Sequence, residues 1–197
     1  AMFNYAVSLY KGDGVPMNKE EAVKYYKMAI ERGDVSAMNN YANMLYNGDG
    51  IAENKEEAIK YYKMAADKGS ASAMNNYANM LYKGEGIEPN KEEAIHYYKL
   101  AIEKGNTNAI NNYAQMLYNG DCVGINKTEA AFYFKLGSQK GDPSSMNKYA
   151  KMLLNGDGII ANKEKAAHYF RMAISKGSID AMLNYAKMLQ NLHKILN

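Results

Sequence analysis

Few side chains in this 197-residue chain are of types that do chemistry. Two of its three histidines, His96 and His168, stand two periods apart in a sequence that repeats every 36 residues. Packed helices lie ~8–10 Å apart, so two periods separate these histidines by at least ~16 Å. A shared metal would need both within roughly 2.1 Å. The histidines therefore predict no metal site.

The single cysteine, Cys122, has no histidine beside it in the repeat register, so a Cys–His nucleophile is not supported. We interpret it as a tolerated substitution at a turn, with local strain if that residue has a positive φ. The turn Gly48-Asp49-Gly50 and its copies lack the alternating acids and final Glu of an EF-hand loop. No phosphate-binding glycine loop or paired-carboxylate cleft is visible. The sequence predicts a chain that is not an enzyme and needs no cofactor.

The repeat predicts the fold. A Tyr-Ala pair recurs every 36 residues from Tyr5-Ala6 onward, without a slip. Apolar residues at helical spacing predict helices over 36–47 and 55–68 in the second repeat. One repeat cannot bury its own apolar faces, so neighbours must stack. We therefore expect an all-α, right-handed α-solenoid of about five and a half helix-turn-helix repeats: 1–36, 37–72, 73–108, 109–144 and 145–180, with 181–197 as the first helix of a sixth repeat or a capping helix.

Local signals mark where the helices begin and end. Glycines stand at the helix ends, where a positive φ costs glycine little. An asparagine can cap each second helix, at Asn18, Asn54, Asn90, Asn126 and Asn162. A glutamate three residues later can close a capping box in four repeats, and Lys165 breaks it in the fifth. A branched residue after each turn is expected to fold onto the core, at Val15, Ile51, Ile87, Val123 and Ile159.

These residues resemble a known family. The second repeat runs Ala37-x3-Tyr41-Ala42, Gly48-x-Gly50-Ile51, Lys55-x2-Ala58-x2-Tyr61 and Ala65-Ala66-x2-Gly69. This is similar to the Sel-one-like (Sel1-like) repeat, SLR, a relative of the tetratricopeptide repeat with a longer internal turn. The family's usual Leu-Gly pair reads Tyr-Ala here, and its usual Asp before the second helix reads Asn. The resemblance implies a scaffold or adaptor, as in membrane-protein degradation, cell-wall regulation or signalling.

The two ends carry their own expectations. Ala1 aligns with Ala37, which favours a segment of a longer array. Leu192 stands where a turn glycine is expected, so the last helix should run on through Leu189, Leu192 and Leu196 on one stripe. This helix is either a cap that closes the array or a decayed repeat.

By analogy with related helical repeats, the first helices line the concave face. Amides there can pair with the N–H and C=O of an extended peptide, and tyrosines add stacking area. The candidate protein-binding residues are Asn39, Asn43, Tyr46, Asn75, Asn79, Tyr82, Asn111, Gln115, Tyr118, Asn147 and Lys151. The alternative is that Asn is simply the habitual surface residue of this chain.

Charge narrows the choice of partners. The chain has a net charge of +3, and acids interrupt its basic rows, so a nucleic-acid partner is not expected. Residues 109–197 carry a net charge of +5, where Lys148, Lys151 and Lys187 would attract a protein segment with acidic residues. An ordinary solvated face is the alternative. No apolar run is long enough to span a membrane, and the single cysteine weakly favours a cytoplasmic location.

Two functions remain open from the sequence. The leading hypothesis is a scaffold that binds an extended protein segment on its concave face. The other is a structural subunit of a larger assembly that packs through its ends or convex face. Phe132, on an otherwise charged face, is either a small contact site or drift.

Overall fold

The computed structural model describes residues 1–121 and 124–196. Within them lie eleven α-helices and no strand, so the all-α expectation is confirmed. The helices are α1 (Met2–Lys11), α2 (Lys19–Glu31), α3 (Val35–Asn47), α4 (Lys55–Asp67), α5 (Ala71–Lys83), α6 (Lys91–Glu103), α7 (Thr107–Asn119), α8 (Lys127–Gln139), α9 (Pro143–Asn155), α10 (Lys163–Ser175) and α11 (Ile179–Leu196). The odd-numbered helices are the first helices of the repeats and the even-numbered ones the second helices. Two compact units result, unit 1 (Ala1–Asn106, α1–α6) and unit 2 (Thr107–Asn197, α7–α11).

Asparagine begins each second helix, as the sequence predicts. The Oδ1 of Asn54 accepts from the N–H of Glu57 at 2.9 Å. The capping box itself was wrong, because the Asn54 N–H donates to the Leu45 carbonyl at 2.9 Å and is not free for Glu57. Glu57 accepts instead from the Asn54 side-chain amide at 3.4 Å. The same backbone bond holds in the fifth repeat, where Lys165 cannot accept from the side-chain amide of Asn162 and the cap loses only that bond. The cap thus ties the second helix to the end of the first.

The turn between the first and second helix of a repeat contains two glycines, which are needed for different structural reasons. Gly84 ends α5 in the left-handed conformation, with φ of 73°. Gly86 also has a positive φ, of 74°, and a Cβ there would lie 2.5 Å from the Lys55 carbonyl carbon of the preceding repeat. The second glycine therefore lets one repeat approach the next. Cys122, the equivalent residue in the fourth repeat, and Val123 lie outside the described residues.

The branched residue after the turn covers the core less well than expected. Val15, Ile51 and Ile159 are half-buried. Ile87 is 41% exposed, so the expectation was wrong for this residue. It lies at the edge of a shallow surface cleft beside Ile59, where the backbone of the turn leaves its side chain open to solvent.

Alanines and paired tyrosines build the core of each repeat. Ala37 and Ala58 are fully buried and let the helices approach closely. The tyrosine of the Tyr-Ala pair packs edge-on against a tyrosine of the second helix, as in Tyr41 and Tyr61 at 4.9 Å between ring centroids. Such edge-to-face contacts contribute beyond their buried area.

The last helix, α11, runs on to Leu196, as the sequence predicts. Leu189 is 48% exposed, whereas the side chains of Leu192 and Leu196 lie outside the described part. Among the described residues, no helix has both the length and the apolar character needed to cross a membrane.

Candidate protein-binding face

The candidate residues fall into three rows on the first helices. The first row consists of Asn39, Asn75, Asn111 and Asn147. Asn75 is only 5% exposed and Asn147 only 8%. In unit 1 the Asn76 amide donates to Asn39 at 3.4 Å and to Asn43 at 3.3 Å, which joins α5 to α3. In unit 2 Asn184 donates to Asn147 at 3.0 Å. The first row therefore lies largely between neighbouring first helices rather than open to a ligand.

The second row, Asn43, Asn79, Gln115 and Lys151, is nearer to solvent. Asn43 and Asn79 are half-buried and accept from the hydroxyls of Tyr62 and Tyr98, each at 2.6 Å. Burial raises the pKa of both tyrosines well above the usual range, so they donate throughout the physiological pH range. These bonds use the amide oxygen of each asparagine.

The third row consists of Tyr46, Tyr82 and Tyr118, and in it Tyr46 and Tyr118 each join two successive repeats of one unit. The Tyr46 hydroxyl donates to Glu85 at 2.7 Å, and Tyr118 donates to Asp157 at 3.0 Å. A lysine also reaches each acid, as with Lys127 and Asp157 at 2.8 Å. We call this trio the Tyr–Lys–acid bracket. Lys91 lies 5.6 Å from the Tyr82 ring centroid, in the same relation of lysine to ring.

The bracket shifts the pKa values of its members. The Lys19 ammonium and the Tyr10 hydroxyl lower the pKa of Asp49, through hydrogen bonds at 2.7 and 2.8 Å. Hydrogen bonding to Glu85 raises the pKa of Tyr46 to about 12. Both shifts favour a charged acid bound by a neutral tyrosine.

Equivalent pockets occur at three places beside these rows. The first pocket, of ≈ 520 Å³, lies among α1, α2 and α3, with Tyr10, Tyr26 and Met44 in its wall. The second, of ≈ 110 Å³, uses the equivalents one repeat later, Tyr46, Tyr62 and Met80. Both belong to unit 1. In unit 2, the fourth repeat uses the same positions for a pocket of ≈ 140 Å³, lined by Gln115, Tyr118, Phe134, Lys148, Lys151 and Met152.

A family model described as Sel1 repeat matches residues 1–34, 35–70, 71–106, 107–142 and 143–178. The chain belongs to the Sel1 repeat family. It is similar to a Sel1 repeat protein from Oxalobacter formigenes, with 28% identity, a TM-score of 0.89, and coverage of 93% of this chain and 73% of that one. It shares its fold with a protective antigen with an SLR fold from uropathogenic Escherichia coli, with 24% identity and a TM-score of 0.88. These matches confirm the α-solenoid class.

The match to the E. coli protein covers 96% of this chain but only 41% of the E. coli protein. A comparison with curated protein sequences finds no match. Sel1 repeats generally serve as non-catalytic scaffolds for protein–protein interaction. That class of role is the one that the resemblance implied.

Side chains that could hold a metal are dispersed in this Sel1 repeat protein. In the residues that the structure describes, no group of three or more His, Cys, Asp or Glu residues could hold an ion. His96 and His168 are exposed, and each packs edge-on against the tyrosine that follows it, at 5.5 and 5.6 Å.

Sequence reasoning missed two sets of functional positions. The aromatic ring of the second helix, Tyr26, Tyr62 or Phe134, lines each pocket, although its recurrence every 36 residues was readable. The acid between the two turn glycines, Asp49 or Asp157, was weighed only as a calcium ligand. Its recurrence as an acid in every repeat was the signal for the bracket.

Proposed function

We propose that this Sel1 repeat protein is a non-enzymatic scaffold that binds an extended protein segment along its first-helix face. By first-helix face we mean the surface of α1, α3 and α5 in unit 1, and of α7 and α9 in unit 2, that carries the second and third rows. The observation that carries the proposal is the return of the same pocket at equivalent positions of successive repeats.

The spacing of the pockets suits an extended chain. Neighbouring first helices lie ~10 Å apart, and an extended chain advances ~3.3 Å per residue. About every third residue of a bound segment would therefore meet a pocket. Because the pocket walls combine an aromatic ring, a methionine and an amide, they suit side chains that are partly apolar.

The three rows contribute differently to this proposal. Contacts to a bound segment would come from the accessible second and third rows: Asn43, Tyr46, Asn79, Tyr82, Gln115, Tyr118 and Lys151. In the first row, Asn39 and Asn147 would hold neighbouring first helices in register, and Asn75 would be too buried to touch the ligand. This division follows from burial, since an amide that is 5% exposed offers a ligand little surface.

The test is a selection of random peptides on the whole chain, followed by a variant that fills one pocket. Val7→Trp places an indole in the ≈ 520 Å³ pocket. The matched control is Met28→Trp, because Met28 is exposed on α2 outside this pocket. We expect selected peptides to bind the Val7→Trp variant at least tenfold more weakly and the control unchanged, with equal helicity by circular dichroism. Recovery of no peptide would refute the proposal, as would equal binding to both variants.

The structural-subunit alternative is favoured by one observation, the 61% exposure of Phe132 on α8. Its ring lies 5.3 Å from that of Tyr133, edge-on. Phe132→Lys would abolish self-association if this ring is a contact, as measured by light scattering over a concentration series. An unchanged molar mass would remove this alternative for Phe132.

A further inference from the structure

The pocket of the fourth repeat, which we call the lysine pocket, differs chemically from its equivalents. Lys148 and Lys151 line this pocket where Asn76 and Asn79 line the pocket of the second repeat. Phe134 also replaces the tyrosine of the other two pockets, which removes a hydroxyl from the wall. The lysine pocket therefore combines an apolar ring with two cationic side chains.

Neither cation has a partner of opposite charge. Within the described residues, no carboxylate forms an ion pair with Lys148 or Lys151, whereas Lys127 in the same unit pairs with Asp157 at 2.8 Å. The Lys148 ammonium lies 5.3 Å from the centroid of the Phe134 ring. Burial lowers the pKa of the Lys148 ammonium, the charge of Asp142 acts to raise it, and the charge of Lys151 acts to lower it. An anion would bind favourably beside Lys148, because this lysine is half-buried and forms no ion pair with the described residues.

The carboxylates around the pocket are already engaged. Asp142 influences Lys148 electrostatically, but its oxygens accept from the backbone N–H of Ser144 and Ser145 at the start of α9. Asp157 accepts from Tyr118 and Lys127. Asp142 therefore offsets part of the positive charge at Lys148, but within the described residues it forms no ion pair with either lysine of the pocket.

A hydrogen bond between side-chain amides that unit 1 forms is missing at the equivalent place in unit 2, which is a second, independent observation. In unit 1, Asn39 Oδ1 accepts from Asn76. In unit 2, the equivalent oxygen is that of Asn111, and Lys148 occupies the place of the donor. Among the described residues, Asn111 Oδ1 is buried and accepts no hydrogen bond. Leaving such an oxygen unpaired costs stability, so the lysine at 148 is not explained by packing.

We propose that the lysine pocket binds the carboxylate of an aspartate or glutamate in the bound protein segment. Lys148 and Lys151 donate to the carboxylate oxygens, and the aliphatic part of that residue or its neighbour packs on Phe134 and Met152. A pocket of ≈ 140 Å³ is large enough for a carboxylate side chain. This inference rests on the proposed function and names the chemistry of the partner.

The charge distribution favours a protein over a nucleic acid as the source of the anion. The lysine pocket is one site in a chain with a net charge of +3. A phosphate backbone is bound by a continuous basic track, with several phosphates neutralised together. A single carboxylate needs only the two lysines, which give a charge-assisted contact of the strong kind.

The test compares peptides selected on the whole chain with those selected on Lys148→Gln/Lys151→Gln. The control, Lys135→Gln/Lys165→Gln, removes the same charge from exposed positions of α8 and α10. We expect an acidic residue at one fixed position of the peptides selected on the unmodified chain and on the control, and its loss on the first variant. Changing that acid to its amide should weaken binding at least tenfold on the unmodified chain and not at all on Lys148→Gln/Lys151→Gln.

The outcomes separate this inference from the proposed function. Peptides that bind without acidic preference, or an acid whose effect survives loss of both lysines, would overturn the inference while leaving the scaffold proposal intact. Recovery of no peptide would overturn both. Binding of a single-stranded oligonucleotide that depends on the same two lysines would also overturn the choice of a protein carboxylate. Thermal melts of all variants show whether folding is unchanged.

Discussion

The close approach of neighbouring repeats makes Gly86 far less replaceable than Gly14. Both glycines occupy the same place in their turns and both have φ of 74°. A Cβ at Gly86 would lie 2.5 Å from the Lys55 carbonyl carbon, 2.6 Å from its oxygen and 2.9 Å from the Glu56 nitrogen. A Cβ at Gly14 would meet nothing within 4 Å. The pair therefore separates backbone conformation from contact between repeats.

The expected losses in the free energy of unfolding follow from two effects, the backbone conformation of the glycine and the contact between repeats. Forcing alanine into the left-handed region costs roughly 1–2 kcal/mol, and Gly14→Ala should lose only that. Gly86→Ala should lose the same amount and about 1–3 kcal/mol more, because the atoms in its way are backbone atoms at the start of α4, which cannot rotate aside. Each kcal/mol lowers Tm by roughly 2–4 °C in a chain of this size.

The assay is urea unfolding followed by circular dichroism at 222 nm, with thermal melts alongside. Both glycines lie in unit 1, so the two variants perturb the same compact unit. Equal losses of stability in the two variants would refute the reasoning, since positive φ would then explain both. A larger loss in Gly14→Ala would contradict it outright.

Three further predictions concern stability. Gly137→Ala should lose about 1–3 kcal/mol because its Cβ would strike Ser145. Adding Ser145→Ala should restore part of this loss, because it removes the Ser145 hydroxyl but leaves the Ser145 Cβ 2.8 Å away, and a double-mutant cycle of urea midpoints would measure the recovery. The pKa of Asp49 is lowered from 3.8, so its contribution is present above that pH and lost as pH falls below it. Asp49→Asn should therefore reduce the fall in the free energy of unfolding as pH drops into the acid range. An unchanged fall would contradict a role of the bracket in stability. The pKa of Tyr46 is raised from 10.0 to about 12, so its contribution is present below pH 10 and lost as pH rises through 12. Tyr46→Phe should remove that alkaline loss in melts between pH 9 and 12.

The helix boundaries could be predicted from the sequence because local chemistry sets them. Asn54 caps α4 through its own side chain, and Gly48 ends α3 with a positive φ. The expected helices 36–47 and 55–68 match α3 and α4 to within one residue. The capping box could not be predicted, since the competing acceptor, the Leu45 carbonyl, comes from the preceding helix and enters only when the turn closes.

The binding face was less predictable, for a physical reason. Helical periodicity gives the direction of a side chain and not its depth. Asn75 lies on the expected face of α5 but is only 5% exposed. Lys148 was expected on a solvated face, yet it is half-buried over Phe134. Both outcomes depend on contacts between repeats.

Positions that join repeats and positions that line pockets are under different constraints. The bracket acid bonds two residues of the repeat before it, as Asp49 does with Tyr10 and Lys19, so its chemistry cannot change without loosening the joint. In the part of the chain that the structure describes, a pocket residue such as Lys148 pairs with no acid, and Asn111 Oδ1 is left without a hydrogen bond. Stability thus accounts for the residues that repeat, and it does not account for the lysine pocket. In an array of near-identical repeats, the specificity for a partner should therefore be sought where the pocket-lining residues differ from one repeat to the next.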